Sequence, residues 1–276
     1  MTADRVGTVV GLWRYPLKSG AGEALEVARL GPDGVAGDRR WAVADEDGTL
    51  VSAKHPRRGG PLLRVSARYD DSDGSTMLDV PDLGSVLAGS PEADEAISAL
   101  LQRPVHLVRD VTADLRLTRR WPDQQELVPE WEPTARAGAD AVTRVAAGGR
   151  LDSFVDYGAV HVVRTAELES LSSALASKVD PLRFRPNVLV DGIDDLSPGM
   201  RLRLGGVVLR VDLPTPRCVV PGLAQRNVTE EMSVLRAVAR QERKQVATLG
   251  RAACIGDYAS IEQSGGLRTG DGTRIV

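Results

Sequence analysis

The chain has 276 residues, enough for one large domain or two modest ones and for a sizeable core without disulfide staples. Hydrophobic residues make up 42%, charged residues 26%, and the net charge is −3, which argues against a disordered chain and against a global basic field for nucleic acid or an anionic membrane. Two cysteines, Cys218 and Cys254, are too few for a disulfide scaffold or for ligating an iron–sulfur cluster.

The first residues, MTADRVGTVV, lack the charged and apolar regions of a secretory signal, and no apolar run reaches the roughly 18 residues of a membrane helix. The expected setting is cytoplasmic, with reduced thiols. In chain order, RVGTVVGLW (5–13) alternates and is β-branched, as a strand should be. Asp47-Gly48 and Asp73-Gly74 each separate two apolar runs, a hairpin signal. Ser90 with Pro91 starts a helix whose apolar stripe is Ile97, Leu100 and Leu101. A strand follows at 105–109. The stretch 112–150, with Trp121, Trp131 and Gly148-Gly149, reads as a long irregular connection that lines a site.

Further strands are expected at 159–163 and 187–190, in a hairpin around Gly205-Gly206, and as a closing pair in YASIE and LRTGDGTRIV. Thr165 and Thr229 are candidate caps for two more helices, with stripes Leu168, Leu171, Leu175 and Met232, Leu235, Val238. Many short strands between Gly, Pro and Asp turns predict a mainly β chain with some α structure (α+β), built as a barrel or sandwich.

Several residues have side chains suited to chemistry. Cys218 follows Pro214-Thr215-Pro216-Arg217, a stiff loop that can hold a ligand in fixed geometry. Arg217 beside it favours the thiolate, a soft metal ligand. The bland alternative, a small buried hydrophobe, is the better reading of any lone cysteine, and it holds for Cys254. Lys18 with Ser19, and Arg39 in GDRRW, offer the ammonium, hydroxyl and guanidinium groups that bind phosphate, although most such loop cations are simply solvated. Asp38 can pair with Arg39. In extended geometry Arg183 and Arg185 face one side while Phe184 packs inward. His55, His106 and His161 share no metal-ligand spacing.

Taken in order, YPLKSG, GDRRW, FRPN and PRC resemble the MOSC (molybdenum cofactor sulfurase C-terminal) proteins, over roughly 5–276. More narrowly, the chain is similar to those with a MOSC N-terminal β-barrel region, a group that includes the mitochondrial amidoxime-reducing components and their bacterial homologues. The resemblance implies a MOSC-type β-barrel with an inserted smaller α/β unit. Lys18 and Arg39 must then meet Arg185 and Cys218, which assigns 1–39 and 110–276 to the barrel and 40–109 to the insert.

The resemblance also implies a molybdenum cofactor. Cys218 would ligate the metal, and Lys18, Ser19, Arg39, Arg185, Asn187 and Arg217 would hold the pterin and its phosphate. Asp156 would orient substrate or relay a proton as a catalytic residue. Tyr157-Gly158 depart from the small hydroxyl or Ala residues expected after it, and VVPGLAQ departs from the Asp-Pro segment some members carry after the Cys. The implied activity is reduction of a small N-hydroxylated substrate, an amidoxime or N-hydroxylated base analogue. Without iron–sulfur ligands or a GxGxxG fingerprint, the electrons must come from a separate donor protein (a reductase, ferredoxin or flavoprotein). The alternatives are a sulfur or molybdenum-cofactor carrier using Cys218, and a barrel that binds a phosphorylated ligand without metal.

Overall fold

The computed structural model describes residues 7–111, 115–132, 134–145, 153–248 and 250–276. Gly148-Gly149 lie outside these. The chain is mainly β, and its centre is a closed barrel of seven strands: β1 (Gly7–Arg14), β2 (Val160–Arg164), β3 (Val188–Asp191), β4 (Arg201–Leu204), β5 (Val207–Pro216), β6 (Gly250–Gln263) and β7 (Gly272–Ile275). The order around the barrel is β2-β3-β1-β7-β4-β5-β6, and β6 pairs back onto β2. Only β2 and β3 run parallel, because a helix, α2 (Thr165–Leu175), makes the crossover between them.

Alternate residues fill the interior: Val9 and Leu12 from β1, Val160 and Val162 from β2, Leu202 and Leu204 from β4, and Leu209 and Val211 from β5 are all buried. Each such side chain contributes about 1.5–3 kcal/mol by leaving water. All of β2 is buried, because α2 and the helix α3 (Ser233–Gln241) cover its outer side through Leu168, Leu171, Leu235 and Val238. β6 has to bend to pair with both β5 and β2. Gly256 makes the bend at φ +71°, where a Cβ would lie 2.4 Å from the Val162 carbonyl oxygen.

Outside the barrel, the Asp47-Gly48 and Asp73-Gly74 turns form the expected hairpins, Ala42–Ala44 with Leu50–Val51 and Ser66–Tyr69 with Thr76–Val80. The helix α1 (Pro91–Leu101) starts as expected, with the Ser90 hydroxyl accepting from the Ala93 amide. Within the 112–150 stretch, the described residues 115–132 and 134–145 are more ordered than their sequence suggests. Arg116–Arg120 and Asp140–Arg144 pair antiparallel, and Leu117 pairs with Leu50. RLTRR and DAVTR carry too few apolar residues to show this strand pattern.

Three other local expectations change. The 265–268 and 272–275 strands do not pair with each other: the first joins Val27–Gly31, the second joins β1 and β4. α2 begins one residue early, at an Arg164 cap whose amide donates to Glu167, while the Thr165 hydroxyl turns to Asp191. α3 begins at Ser233 rather than after Thr229, because Glu231 is committed elsewhere, its amide to Gly222 and its carboxylate to Arg183.

Candidate functional site: a cationic cleft beside Cys218

Cys218 follows the end of β5, where Pro216 pairs with Cys254 and the Arg217 amide donates to the Ala253 carbonyl at 2.9 Å. The chain then tightens into a 3₁₀ turn at Val220–Gly222. This leaves Cys218 half-buried against Ala53, Leu63 and Val220. It borders a cleft between the barrel end and the loops around it. Lys18, Ser19, Arg39, Asp156, Arg185, Asn187 and Arg217 line the same cleft.

One wall is made of cations on an aromatic. The guanidinium carbons of Arg39 and Arg185 lie 4.7 and 4.3 Å from the Tyr15 ring centroid. Arg39 also donates to Asp38 and, at 3.3 Å, to Asn187 Oδ1, while Arg185 donates to the Gly20 carbonyl. Burial, then Arg39, pull Arg185 down to about 10. Ser19, Arg39 and Arg185 all have left-handed backbones, at φ 66°, 47° and 56°. For residues with a Cβ this costs on the order of 1 kcal/mol each, and such outliers concentrate where a site demands a fixed geometry. The Ser19 hydroxyl accepts from the Ala53 amide at 3.0 Å, which ties the loops together.

Arg183 and Arg185 do not face one side as expected. Asp180 caps a 3₁₀ turn over Pro181–Phe184, so the segment is not extended. Arg183 therefore runs to Glu231 at 3.0 Å, and Arg185 alone enters the cleft; Phe184 packs inward as expected. The Asn187 side chain is occupied structurally, accepting from the His161 amide and donating to the Trp13 carbonyl. Both His161 ring nitrogens face carbonyl oxygens, those of Arg185 at 3.3 Å and Ile255 at 3.2 Å. Burial, then Arg217, hold this ring down to about 3, so it is neutral.

At the other end, one oxygen of Asp156 takes two ammonium groups: Lys18 at 2.8 Å and Lys54 at 2.7 Å. Lys18 also donates to the Phe154 carbonyl at 2.8 Å. Burial would raise Asp156, but the two lysines outweigh it and hold the carboxyl well below its usual range, although 39% of the side chain meets solvent. Burial brings Lys18 down to about 8 against the pull of Asp156. Sequence reasoning missed Lys54: in VSAKHP it reads as a loop lysine, and only folding carries it to Asp156. It also missed Tyr258, which sits within a strand pattern.

Beyond Cys218 lies a second, larger cavity. It shares Lys54, Asp156, Arg217, Cys218 and Tyr258 with the cleft, and Trp121, Trp131, Leu117 and Leu213 form much of its wall. Tyr157 is 42% exposed, with its ring 5.7 Å from that of Tyr258. A Cβ on Gly158 would stand 2.6 Å from the Tyr258 Cβ, so the departure at Tyr157-Gly158 goes with room for Tyr258. Cys254 is buried inside β6, and burial pushes its thiol up to about 12. Among the described residues no three His, Cys, Asp or Glu side chains gather to hold a metal ion, so a metal at Cys218 would have to bring its other ligands with it.

Residues 6–146 match the MOSC N-terminal beta barrel domain, and residues 150–274 match the MOSC domain. The chain belongs to the MOSC family, in the group with this N-terminal domain. It is 26% identical over 290 residues to mitochondrial amidoxime-reducing component 1 of Mus musculus, covering 97% of this chain and 82% of that protein. It is 26% identical to mitochondrial amidoxime reducing component 2 of Bos taurus and 24% identical to component 1 of Homo sapiens, each over 97% of this chain and 83% and 82% of those proteins. Among the described residues no helix is long and apolar enough to cross a membrane.

Proposed function

We propose that the chain binds a molybdenum cofactor through the Cys218 thiolate and reduces N-hydroxylated compounds with electrons from a separate donor protein, in a cytoplasmic setting. The observation that carries this reading is the convergence of Lys18, Arg39, Arg185 and Arg217 around one thiol, from loops far apart in sequence. The cleft suits an anionic pterin: it offers three guanidiniums and two ammonium groups, and Arg217 Nε is buried without a partner among the described residues. Lys18, Ser19, Arg39, Arg185 and Arg217 would hold the pterin and its phosphate, with Asn187 fixing Arg39. When bound, the cofactor supplies a soft centre for exchange of two electrons.

The substrate's N–O bond breaks as two electrons and two protons arrive, giving the N–H compound and water. The chain's own residues position and protonate. Asp156 stays ionised under its two lysines, so it orients groups and does not donate a proton. Lys18, which gives up its proton near pH 8, holds one at Nζ beside that carboxylate. Arg217 is pinned by donating to the Phe184 carbonyl at 2.9 Å, with the Phe184 ring centroid 5.5 Å away, so it places positive charge beside the thiol without reorganising. The division of the chain into 1–39 with 110–276, and 40–109, remains a proposal about folding units; the pairing of Leu117 with Leu50 joins the two across it.

The test is metal analysis of protein from a host that makes the cofactor, followed by an amidoxime assay with reduced viologen. Near-stoichiometric molybdenum and turnover in wild type, both lost in Cys218→Ser, are expected. Sulfur labile to cyanide on molybdenum-free protein would instead favour the carrier reading. NADH-driven turnover by the purified chain alone would refute the separate donor.

A further inference from the structure

The chemistry of the larger cavity differs from that of the cleft. Its wall is aromatic and aliphatic, with Trp121 buried and Trp131 half-buried. Its charge is one-sided: among the lining residues five cationic side chains stand against two carboxylates, Asp156 and Glu132. Arg120 is already engaged by Asp140 at 3.1 Å, and Lys54 by Asp156. Arg119 is placed differently. Its guanidinium carbon lies 4.2 Å from the Trp121 ring centroid, and no ion pair to a carboxylate is seen for it among the described residues. A guanidinium stacked on an indole has lost much of its rotamer freedom, so it can take an anion at a lower entropic cost than a free surface arginine.

Building on the proposed reductase reading, we propose that this cavity is the substrate chamber and that it selects flat aromatic or heteroaromatic N-hydroxylated molecules carrying an anionic substituent. The N–O group faces Cys218 and Asp156, the ring lies against the tryptophan-bearing wall, and the anion meets Arg119. Arg119 is thus a specificity residue and has no part in the chemistry. Tyr258 and Cys218, which border both spaces, form the junction.

The experiment compares acetamidoxime, benzamidoxime and 4-carboxybenzamidoxime on the cofactor-loaded full chain with reduced viologen. The expected order of kcat/KM is carboxylated aryl, neutral aryl, alkyl. Arg119→Gln should reduce the value for the carboxylated substrate by about tenfold more than for benzamidoxime, through KM, as expected for a lost charge-assisted contact. Arg119→Lys should restore part of the difference. Equal kcat/KM for the two aryl substrates, or an equal loss for both in Arg119→Gln, overturns the proposal. Binding to cofactor-free protein is read separately from quenching of tryptophan fluorescence. If the loaded chain reduces none of the three, the reductase reading fails, and the chamber is judged on this binding alone. Tighter binding of the carboxylated ligand, weakened in Arg119→Gln, supports the chamber, and indifference to the carboxylate overturns it.

Discussion

The two spaces that meet at Cys218 are built by different means. The cleft is made by backbone: left-handed turns at Ser19, Arg39 and Arg185, a 3₁₀ turn before Arg185, and loops laced by the Ser19–Ala53 and Arg185–Gly20 hydrogen bonds. The cavity owes much of its wall to side chains of the 116–145 segment, whose strand pair hangs on the Ala42–Val51 hairpin. The cleft carries desolvated cations and strained dihedrals that cost stability, a pattern that makes sense where a ligand returns the energy. The cavity carries an aromatic and aliphatic wall whose 116–145 part lies outside the barrel strands. The contrast separates a space fixed for one occupant from a space free to vary.

The largest expected effect falls on the cleft. Lys18→Met should lower cofactor occupancy by about ten- to a hundredfold, as loss of a buried charge-assisted contact does, while Tm moves little because Asp156 keeps Lys54 and meets solvent, and the variant no longer buries an ammonium. A fall in Tm large enough to account for the lost occupancy would make Lys18 a structural residue and collapse the distinction. Next, Gly158→Ala drives a methyl into Tyr258 at the junction and should cost about 1–3 kcal/mol, read as a lower Tm, with both spaces distorted together. An unchanged Tm and unchanged substrate KM would show that the junction is pliant.

A third effect is pH-dependent. Binding of an anionic probe such as pyrophosphate to the cofactor-free cleft should weaken as pH rises through about 8, where Lys18 loses its charge. Lys18→Arg should remove that break, since guanidinium stays charged. A break that persists in the variant would assign the titration elsewhere.

The smallest effect lies on the barrel strand that also carries Tyr258. Asp257 is 1% exposed and neither carboxylate oxygen has a hydrogen-bond partner among the described residues; burial, then Glu167, push it up to about 7. Its folded value lies above the unfolded one, so the native state holds a proton that the unfolded chain releases near pH 4. Stability is therefore greatest below about pH 4 with respect to this group and is lost as pH rises through about 7. Asp257→Asn should flatten this dependence, with Tm at pH 8 several degrees above wild type and the two converging as pH falls to about 4. A parallel pH response in both proteins would remove Asp257 from the account.

How far the sequence announced all this depended on the pattern each residue sits in. Alternating valines and leucines made the barrel strands legible, and Asp47-Gly48 and Asp73-Gly74 marked the two hairpins outside the barrel directly. The segment RLTRR was not legible, since its partner strand lies beyond a long connection and its apolar residues are few. For the cleft, the types of Lys18, Arg39, Arg185 and Cys218 were visible, but their company was suggested only by resemblance, because no local spacing encodes a meeting of loops. Lys54 and Tyr258 gave no signal: one looks solvated and the other looks like core. The separation of Arg183 from Arg185 turned on Asp180, whose cap converts an apparent strand into a turn.

The five side chains common to both spaces imply an order of assembly. Whatever fills the cleft becomes part of the floor of the neighbouring cavity at the Cys218 end, while the Arg119–Trp121 wall is complete without it. The thiol that would hold that occupant is then shielded from one direction and approachable from the other. A bulky alkylating reagent offered to the loaded protein would have to arrive past Trp131 and Tyr157, by the path a substrate takes.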